Sequence, residues 1–264
     1  MPRFLTALPV FNEAAHVDGV LDEVLRHTAD VCVVDDGSTD GTARILADRV
    51  EDRGDVRVVH HPRNLGYGAA LATAFREALA GGWDGLVTID CDGQHQPRLI
   101  PEFLALASDP VRGADIVSGS RYLRRFPGDS QPPEARRRIN ATITAEINAR
   151  LGLSITDAFC GFKAYSRRAL AALAITETGY AMPLEVWVQA AAAGLSIVEL
   201  PVPLLYLDLS RSFGGALDDA ETRLAHYRAV LDRAEAAVGW RLPAAPPLPA
   251  ANRASQDPLA AAHC

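Results

Sequence analysis

Val31-Cys-Val-Val-Asp-Asp-Gly-Ser-Thr-Asp-Gly-Thr42 (VCVVDDGSTDGT) is an apolar run that ends in two carboxylates and a glycine turn and then opens a helical pattern. A buried strand leading at once into a helix is half of a β-α-β unit, the repeat from which parallel sheets are built. The same alternation recurs on both sides. Phe4–Leu8, Val56–His60, Leu86–Asp90 and Ile116–Ser118 are expected as further buried strands. Ala14–His27, Thr42–Arg53, Gly68–Leu79 and Pro97–Ala107 carry the helical patterns between them. Alternation at this pitch predicts an α/β fold with a mostly parallel central sheet flanked by helices. Ligands of such sheets bind beyond the carboxyl ends of the strands. Pro9, Asn12 and Glu13, Asp35–Ser38, His60-His61, Asp90–Asp92 and Ser120-Arg121 all follow a strand, so they are expected to converge on one edge.

The second part of the chain is less regular. Leu123–Glu134 contains Pro127, Gly128, Pro132 and Pro133 and is expected to be a mobile loop. Helices are expected over Arg136–Arg150 and Pro183–Ala193, and strands over Phe162–Ser166 and Ser196–Leu200. Leu217, Ala220, Leu224, Tyr227, Leu231, Ala234 and Val238 recur at spacings of three and four, an amphipathic C-terminal helix. Its apolar stripe faces either the chain's own core or a second copy in a homodimer. The Ala/Pro-rich tail, 242–264, is expected to be disordered.

Composition narrows the function. With 26 Lys+Arg against 33 Asp+Glu the chain carries a formal charge of −7, which excludes a nucleic-acid binder held by general phosphate attraction. Basic residues cluster locally at Arg121–Arg125 and Arg136–Arg138, a pattern suited to one anionic small ligand. The 4 cysteines form no CxxC pair or zinc spacing, which fits a reduced, cytoplasmic compartment. The N-terminus has too short an apolar run for a signal peptide, and no stretch approaches the ~20 apolar residues of a membrane span. Any membrane contact is expected to be peripheral, at the inner face.

The chemistry-bearing motifs each admit two readings. In the 35–42 turn, Thr39 or Asp40 caps the next helix, or Asp36 accepts N–H groups of a nucleotide base. In VTIDCDGQHQP (87–97), Asp90 and Asp92 end a solvated turn, or they hold a hard divalent ion such as Mg²⁺ or Mn²⁺ together with phosphate oxygens. Residues i and i+2 of an extended segment face the same way, so Cys91 between them is expected to point back into the core. Gln94 and His95 add further ligands. The glycines of His60–Gly68 allow tight packing or cradle a phosphate, although the spacing matches no P-loop. Arg121 is placed at a strand mouth, and Arg211 lies in a glycine-containing stretch suited to a closing lid.

Taken together, "LPVFNEAAHV", "VCVVDDGSTDGT", "NLGYGAALATAF", "VTIDCDGQHQP", "IVSGSRY", "DAFCGFKAYSRRAL" and "MPLEVWVQAAAAGLSIVELPV" occur in an order that resembles the family 2 glycosyltransferases of GT-A fold. This is a Rossmann-like architecture for nucleotide-diphospho-sugar transferases. The resemblance is closest to the branch with dolichyl- and polyprenyl-phosphate mannosyl- and glucosyltransferases. It implies one GT-A domain over 1–241, with a nucleotide-binding half of about 1–122 and an acceptor half of about 123–241. Pro9, Asn12 and Glu13 would line the nucleoside pocket, with Asp36 on the base. Asp90 and Asp92 would hold the metal and the diphosphate, with Gln94 completing the metal site. Arg121, one of Arg136–Arg138 and Arg211 would contact phosphates. The family's closing loop usually reads R-x-x-G-x-S-K, whereas here the lysine is absent and Asp218-Asp219 follows.

The implied activity is a metal-dependent, inverting transfer of a hexosyl group from a GDP-, UDP- or dTDP-linked donor to a polyprenyl phosphate or another acceptor. A soluble hydroxyl acceptor is the alternative, and it needs a carboxylate as general base, for which Asp157 and Glu185 are the candidates. Glu185 has a structural alternative in the first turn of its helix. A sugar-phosphate nucleotidyltransferase would need a glycine-rich basic loop after the first strand, which LPVFNEAAHV lacks.

Overall fold

The structure, a computed structural model, describes residues 2–52, 56–109, 113–206 and 215–241. Among them seven strands form one sheet: β1 (Phe4–Val10), β2 (Val31–Asp35), β3 (Arg57–His60), β4 (Gly85–Thr88), β5 (Ile116–Ser120), β6 (Lys163–Ser166) and β7 (Ile197–Pro201). Their order is β3-β2-β1-β4-β6-β5-β7. All pairings are parallel except those of β6, which runs against both β4 and β5. The chain leaves β1 toward β2 on one side, and β4 lies on its other side. That reversal opens a crevice at the carboxyl edge.

The helices are α1 (Val17–Leu25), α2 (Thr42–Asp52), α3 (Tyr67–Ala80), α4 (Ile100–Ser108), α5 (Glu134–Leu151), α6 (Arg167–Ala172), α7 (Met182–Ala192) and α8 (Ala220–Val238). Side chains alternate between the faces of the sheet, and each face has its own core. Leu5, Ala7, Cys32, Val34, Leu86 and Ile116 pack with α3, α5, α7 and α8. Phe4, Leu8, Val31, Val33, Val87 and Val117 pack with α1, α2 and α4. Strands covered on both sides read as unbroken apolar runs, which is why VCVVD is buried at every position.

Several boundaries differ from the sequence expectation. Strand β4 ends at Thr88, so Asp90–Asp92 lies in a bend beyond the sheet, with Gly93 at φ 73°. Cys91 nevertheless packs into the core at 2% exposed, between two half-buried aspartates. The six-residue helix α6 was not expected. Ser166 caps it by accepting the Ala169 N–H at 3.1 Å. The expected mobile loop is fastened: Asp129 accepts the N–H groups of Phe126 (2.7 Å) and Leu204 (3.0 Å), and Ser130 N–H donates to the Leu204 carbonyl. Helix α8 buries Tyr227, Val230, Leu231 and Ala234 on its own chain, and Arg150 and Glu146 of α5 pair with Asp232 and Arg228. Asp219, which reversed the charge of the expected loop, is its N-cap, accepting the Thr222 N–H at 2.8 Å. The tail 242–264 and Arg211 lie outside the described residues. Among the described residues no helix is long and apolar enough to cross a membrane.

Phe103 is fully buried and stacked on Phe162 with ring centroids 4.0 Å apart. Phe103→Ala is expected to lower the unfolding free energy by about 3–5 kcal/mol in urea denaturation.

Candidate active site

A cavity of about 770 Å³ opens along the carboxyl edge of the sheet. One side is built from the loops after β1, β2 and β4, and the other from the end of β5, from α5 and α8, and from the segment after β7.

On the first side, Pro9, Asn12, Glu13 and Asp36 line the cavity with Asp90, Asp92 and Gln94. Asn12 takes φ 55°, a left-handed conformation that asparagine tolerates. It joins the first two loops: its N–H donates to Ser38 Oγ at 3.0 Å and its Oδ1 accepts the Thr39 N–H at 2.8 Å. Glu13 is held by its N–H on Thr42 Oγ1, 2.9 Å away. Asp36 is engaged more heavily than sequence suggests. Its Oδ1 accepts the Leu65 N–H (2.9 Å) and faces His61 Nδ1 (2.6 Å), and its Oδ2 accepts the Gly66 N–H (2.8 Å). The glycines of the third loop pack tightly, since a Cβ at Gly68 would strike the Glu177 carbonyl and Met182.

Asp90 is gripped from two directions. The Tyr67 hydroxyl donates to Oδ1 at 2.9 Å, and His95 Nε2 lies 3.2 Å from Oδ2. Burial pushes its carboxyl up, but the bonds from His95 and Tyr67 outweigh burial and hold it below the usual carboxylate range. Gly161 sits directly against this carboxylate, and a Cβ there would overlap both oxygens. Asp92 turns back on its own bend, accepting the Gln94 N–H at 3.0 Å. Among the described residues no three His, Cys, Asp or Glu side chains cluster as an all-protein metal cage. Paired carboxylates open to a cavity are the donor set that Mg²⁺ or Mn²⁺ uses when phosphate and water complete its shell.

On the second side, Arg121 lines the cavity with its guanidinium closed on Asp157, Nε at 2.7 Å and Nη2 at 3.0 Å. Asp157 is wholly buried and also accepts Asn140 Nδ2 at 2.9 Å and the Phe159 N–H at 3.1 Å. Burial raises its carboxyl, but Arg121 outweighs burial and holds it far below the usual range. Glu199 fixes the turn beneath, accepting the N–H groups of Thr156 and Asp157. Of Arg136–Arg138, Arg136 reaches the cavity, donating to the Tyr206 hydroxyl at 3.1 Å, while Arg138 pairs with Glu134 in solvent. Glu185 does not line the cavity. It is buried and accepts the Thr176 and Glu177 N–H groups, each at 2.8 Å, a structural role in place of a general base.

Sequence reasoning missed Tyr67, Asn140, Gly161, Glu199 and Arg223. Gly161 was visible as a glycine inside DAFCGFKAYSRRAL. Arg223 carries no local signal, being one arginine on a charged helix.

A nucleotide-scale cavity at the carboxyl edge, with two aspartates beyond β4 and arginines opposite, defines a GT-A glycosyltransferase. Residues 6–173 match glycosyl transferase family 2, and the chain belongs to that family. It is 33% identical over 234 residues to the undecaprenyl-phosphate mannosyltransferase of Micrococcus luteus, covering 85% of this chain and 93% of that one. It is 32% identical over 249 residues to the polyprenol monophosphomannose synthase of Mycolicibacterium smegmatis, covering 89% and 91%. Among solved structures it resembles glucosyl-3-phosphoglycerate synthase from Mycobacterium tuberculosis in complex with Mn²⁺, UDP and phosphoglyceric acid. There the TM-score is 0.64 at 21% identity, covering 88% of this chain and 78% of the other. It also resembles a mannosyltransferase from Pyrobaculum calidifontis in complex with GDP-Man and Mn²⁺, with TM-score 0.55, 20% identity and coverages of 92% and 77%.

The Arg121–Asp157 pair gives a signed pH prediction. A carboxyl depressed in the folded state adds stability above the ordinary carboxylate pKa and loses it as pH falls below that value. Asp157→Asn is expected to cost about 3–5 kcal/mol at neutral pH, because it leaves Arg121 without its carboxylate. In urea titrations from pH 7 down to about pH 3, the gap between wild type and variant is expected to narrow as the carboxyl takes up a proton in the unfolded wild-type chain while it stays ionised in the folded one. A gap independent of pH would show that the pair is not ionised.

Proposed function

We propose that this chain transfers a hexosyl group, with inversion, from a nucleotide diphosphate sugar to a polyprenyl phosphate. The observation that carries the reading is the condition of its carboxylates. A hydroxyl acceptor needs a nearby carboxylate to take its proton. Asp157 is closed on Arg121 and Asn140, and Glu185 is turned onto the 176–177 backbone. Among the described residues, the ionisable side chains lining the cavity on that side are arginines and tyrosines, with no carboxylate. A phosphate monoester has its second pKa near ~6 and is already ionised at neutral pH. Its oxygen attacks the anomeric carbon, the bond from that carbon to the diphosphate breaks, and the nucleoside diphosphate leaves with the electron pair. No proton has to move.

On the donor side, Pro9, Asn12 and Glu13 would border the nucleoside. Asp36 Oδ2 accepts one protein N–H, and its second lone pair suits a base N–H. Asp90, Asp92 and Gln94 would hold a divalent cation, Mg²⁺ or Mn²⁺. When bound, that cation supplies neutralisation of the departing diphosphate. Tyr67 and His95 fix the orientation of Asp90, and Gly161 leaves the space that the carboxylate occupies. Arg121, oriented by Asp157, offers its remaining edge to a phosphate oxygen, and Arg211 would contribute from the 207–214 segment.

The relatives at 33% and 32% identity are named for mannose, which makes mannose the first sugar to test. A GDP-, UDP- or dTDP-linked donor remains part of the test. A polyprenyl phosphate is membrane-borne, so the chain would work peripherally at the inner membrane face.

Incubation with GDP-mannose, UDP-glucose or dTDP-glucose, Mn²⁺ and farnesyl phosphate is expected to yield a prenyl-phospho-sugar. Transfer to hydroxyl acceptors but not to farnesyl phosphate would overturn the reading. Asp92→Asn is expected to lower kcat/KM by about 10²-fold or more. Gly161→Ala, which displaces Asp90, is expected to weaken Mn²⁺ binding about 10–100-fold when titrated by electron paramagnetic resonance. Unchanged Mn²⁺ affinity in both variants would remove the metal from these residues.

A further inference from the structure

Helix α3 begins without a side chain to cap it. Its N-cap is Gly66, and the N–H groups of Gly68 and Ala69 donate instead to the Thr178 carbonyl, at 2.8 and 3.3 Å. The first N–H groups of a helix have no partner within it, so this distant carbonyl does the work of a capping side chain. The approach is close. A Cβ at Gly66 would strike the Thr178 carbonyl oxygen, and one at Gly68 the Glu177 carbonyl oxygen. The 176–178 segment is therefore a strap laid directly on the turn that opens α3.

The strap is held from behind by Glu185, in the first turn of α7 and 6% exposed. Its Oε2 accepts the N–H groups of Thr176 and Glu177, each at 2.8 Å, and its Oε1 accepts the Thr176 hydroxyl at 2.6 Å. Deleting a buried acceptor leaves those donors unsatisfied, which the strap can relieve only by moving. On the other side, the 65–67 turn grips both carboxylates of the acidic end. The Leu65 and Gly66 N–H groups go to Asp36, and the Tyr67 hydroxyl goes to Asp90. The Tyr67 ring also stacks on Tyr180, with centroids 5.8 Å apart. A carboxyl group outside the cavity thus begins a run of hydrogen bonds that ends on Asp36 and Asp90.

We propose that Glu185 is a positioning residue for the metal site: through the strap it fixes the turn that opens α3, and through Tyr67 it fixes Asp90. The inference rests on the reading of Asp90 as a ligand of the cation and adds the residue that holds it from a distance. Groups that orient a metal ligand act on affinity for the metal without touching it. Glutamine can replace Glu185 in this role. Its amide oxygen accepts the two N–H groups, and its NH₂ donates to the Thr176 hydroxyl, which accepts as readily as it donates. A general base has no such substitute, because an amide takes up no proton at neutral pH.

The test uses the full chain with Glu185→Gln, Glu185→Ala, Tyr67→Phe and the Glu185→Ala/Tyr67→Phe double variant. Each is titrated with Mn²⁺ alone by electron paramagnetic resonance, and kcat is measured with GDP-mannose and farnesyl phosphate. Glu185→Gln is expected to stay within about threefold of wild type in both readouts. Glu185→Ala and Tyr67→Phe are each expected to weaken Mn²⁺ binding about 10–100-fold. The double variant is expected to be within about threefold of the weaker single one, because both act through the same bond to Asp90. Losses that multiply instead overturn the proposal, since Glu185 then acts through general structure. Unchanged Mn²⁺ affinity in a folded Glu185→Ala overturns it as well. If that variant does not fold, Glu185→Asp, one methylene shorter, takes its place, and an unchanged affinity there has the same force. A kcat loss of about 10²-fold or more in Glu185→Gln at unchanged Mn²⁺ affinity makes the residue a general base and overturns positioning. Wild type that binds no Mn²⁺ overturns the metal reading along with this one, whereas the other failures leave that reading standing.

Discussion

A carboxylate with no exposure to water stays ionised only if a charge meets it, and Asp157 is met by Arg121. Much of the second side of the cavity follows from that requirement. Asn140 from α5 and the Phe159 N–H complete the hydrogen bonds of Asp157, while Glu199 on β7 holds the turn that presents it. Ser120 at the end of β5 accepts the Leu123 N–H at 3.1 Å and so bends the chain where Arg121 leaves the strand. One ion pair thereby binds β5, α5, β7 and the turn before β6. It also explains how an arginine at a strand mouth is oriented by the protein itself.

The reversed strand supplies the complementary constraint. Because β6 enters the sheet from the carboxyl edge, the chain just before it passes directly beneath the bend after β4. Thr88 Oγ1 locks this approach by donating to the Gly161 carbonyl at 2.8 Å. The backbone then comes so near to Asp90 that only a residue without a Cβ leaves room for the carboxylate. Tyr67, from the start of α3, closes the other side. Elements from the two halves of the chain therefore meet at Asp90, and the position of that side chain depends on both.

What can be read from sequence is set by periodicity and by chain order. Runs such as VCVVD and the helices between them declare a parallel sheet, and the sheet alone carries Asp36, Asp90, Asp92 and Arg121 to one edge. Pairing across long sequence distances leaves no such trace. Nothing local distinguishes Asp157, whose partner is 36 residues away, from a solvated aspartate, so by sequence it reads as a candidate general base. The proline-rich 123–134 segment has the composition of a free loop, but Asp129 fastens it to Leu204, 75 residues on. Helix α6 is too short to show a helical period. Arg223 is hidden for a related reason, since on a helix with several charged positions only packing decides which one faces a cavity.

The distribution of charge along the cavity bears on the order of events in the proposed reaction. The chain carries −7 overall, and Asp36, Asp90 and Asp92 add to that at the donor end, so an anionic diphosphate is repelled there until a cation accompanies it. The opposite end is lined by Arg121, Arg136 and Arg223. In the proposed reaction a nucleotide sugar with its metal would occupy the acidic end and the acceptor phosphate the arginine-lined end. The reacting carbon then lies between two phosphates whose charges are neutralised by different agents, which keeps the nucleophile anionic while the leaving group is stabilised. Had arginines lined both ends, acceptor and donor would compete for either position, and the direction of attack would be lost.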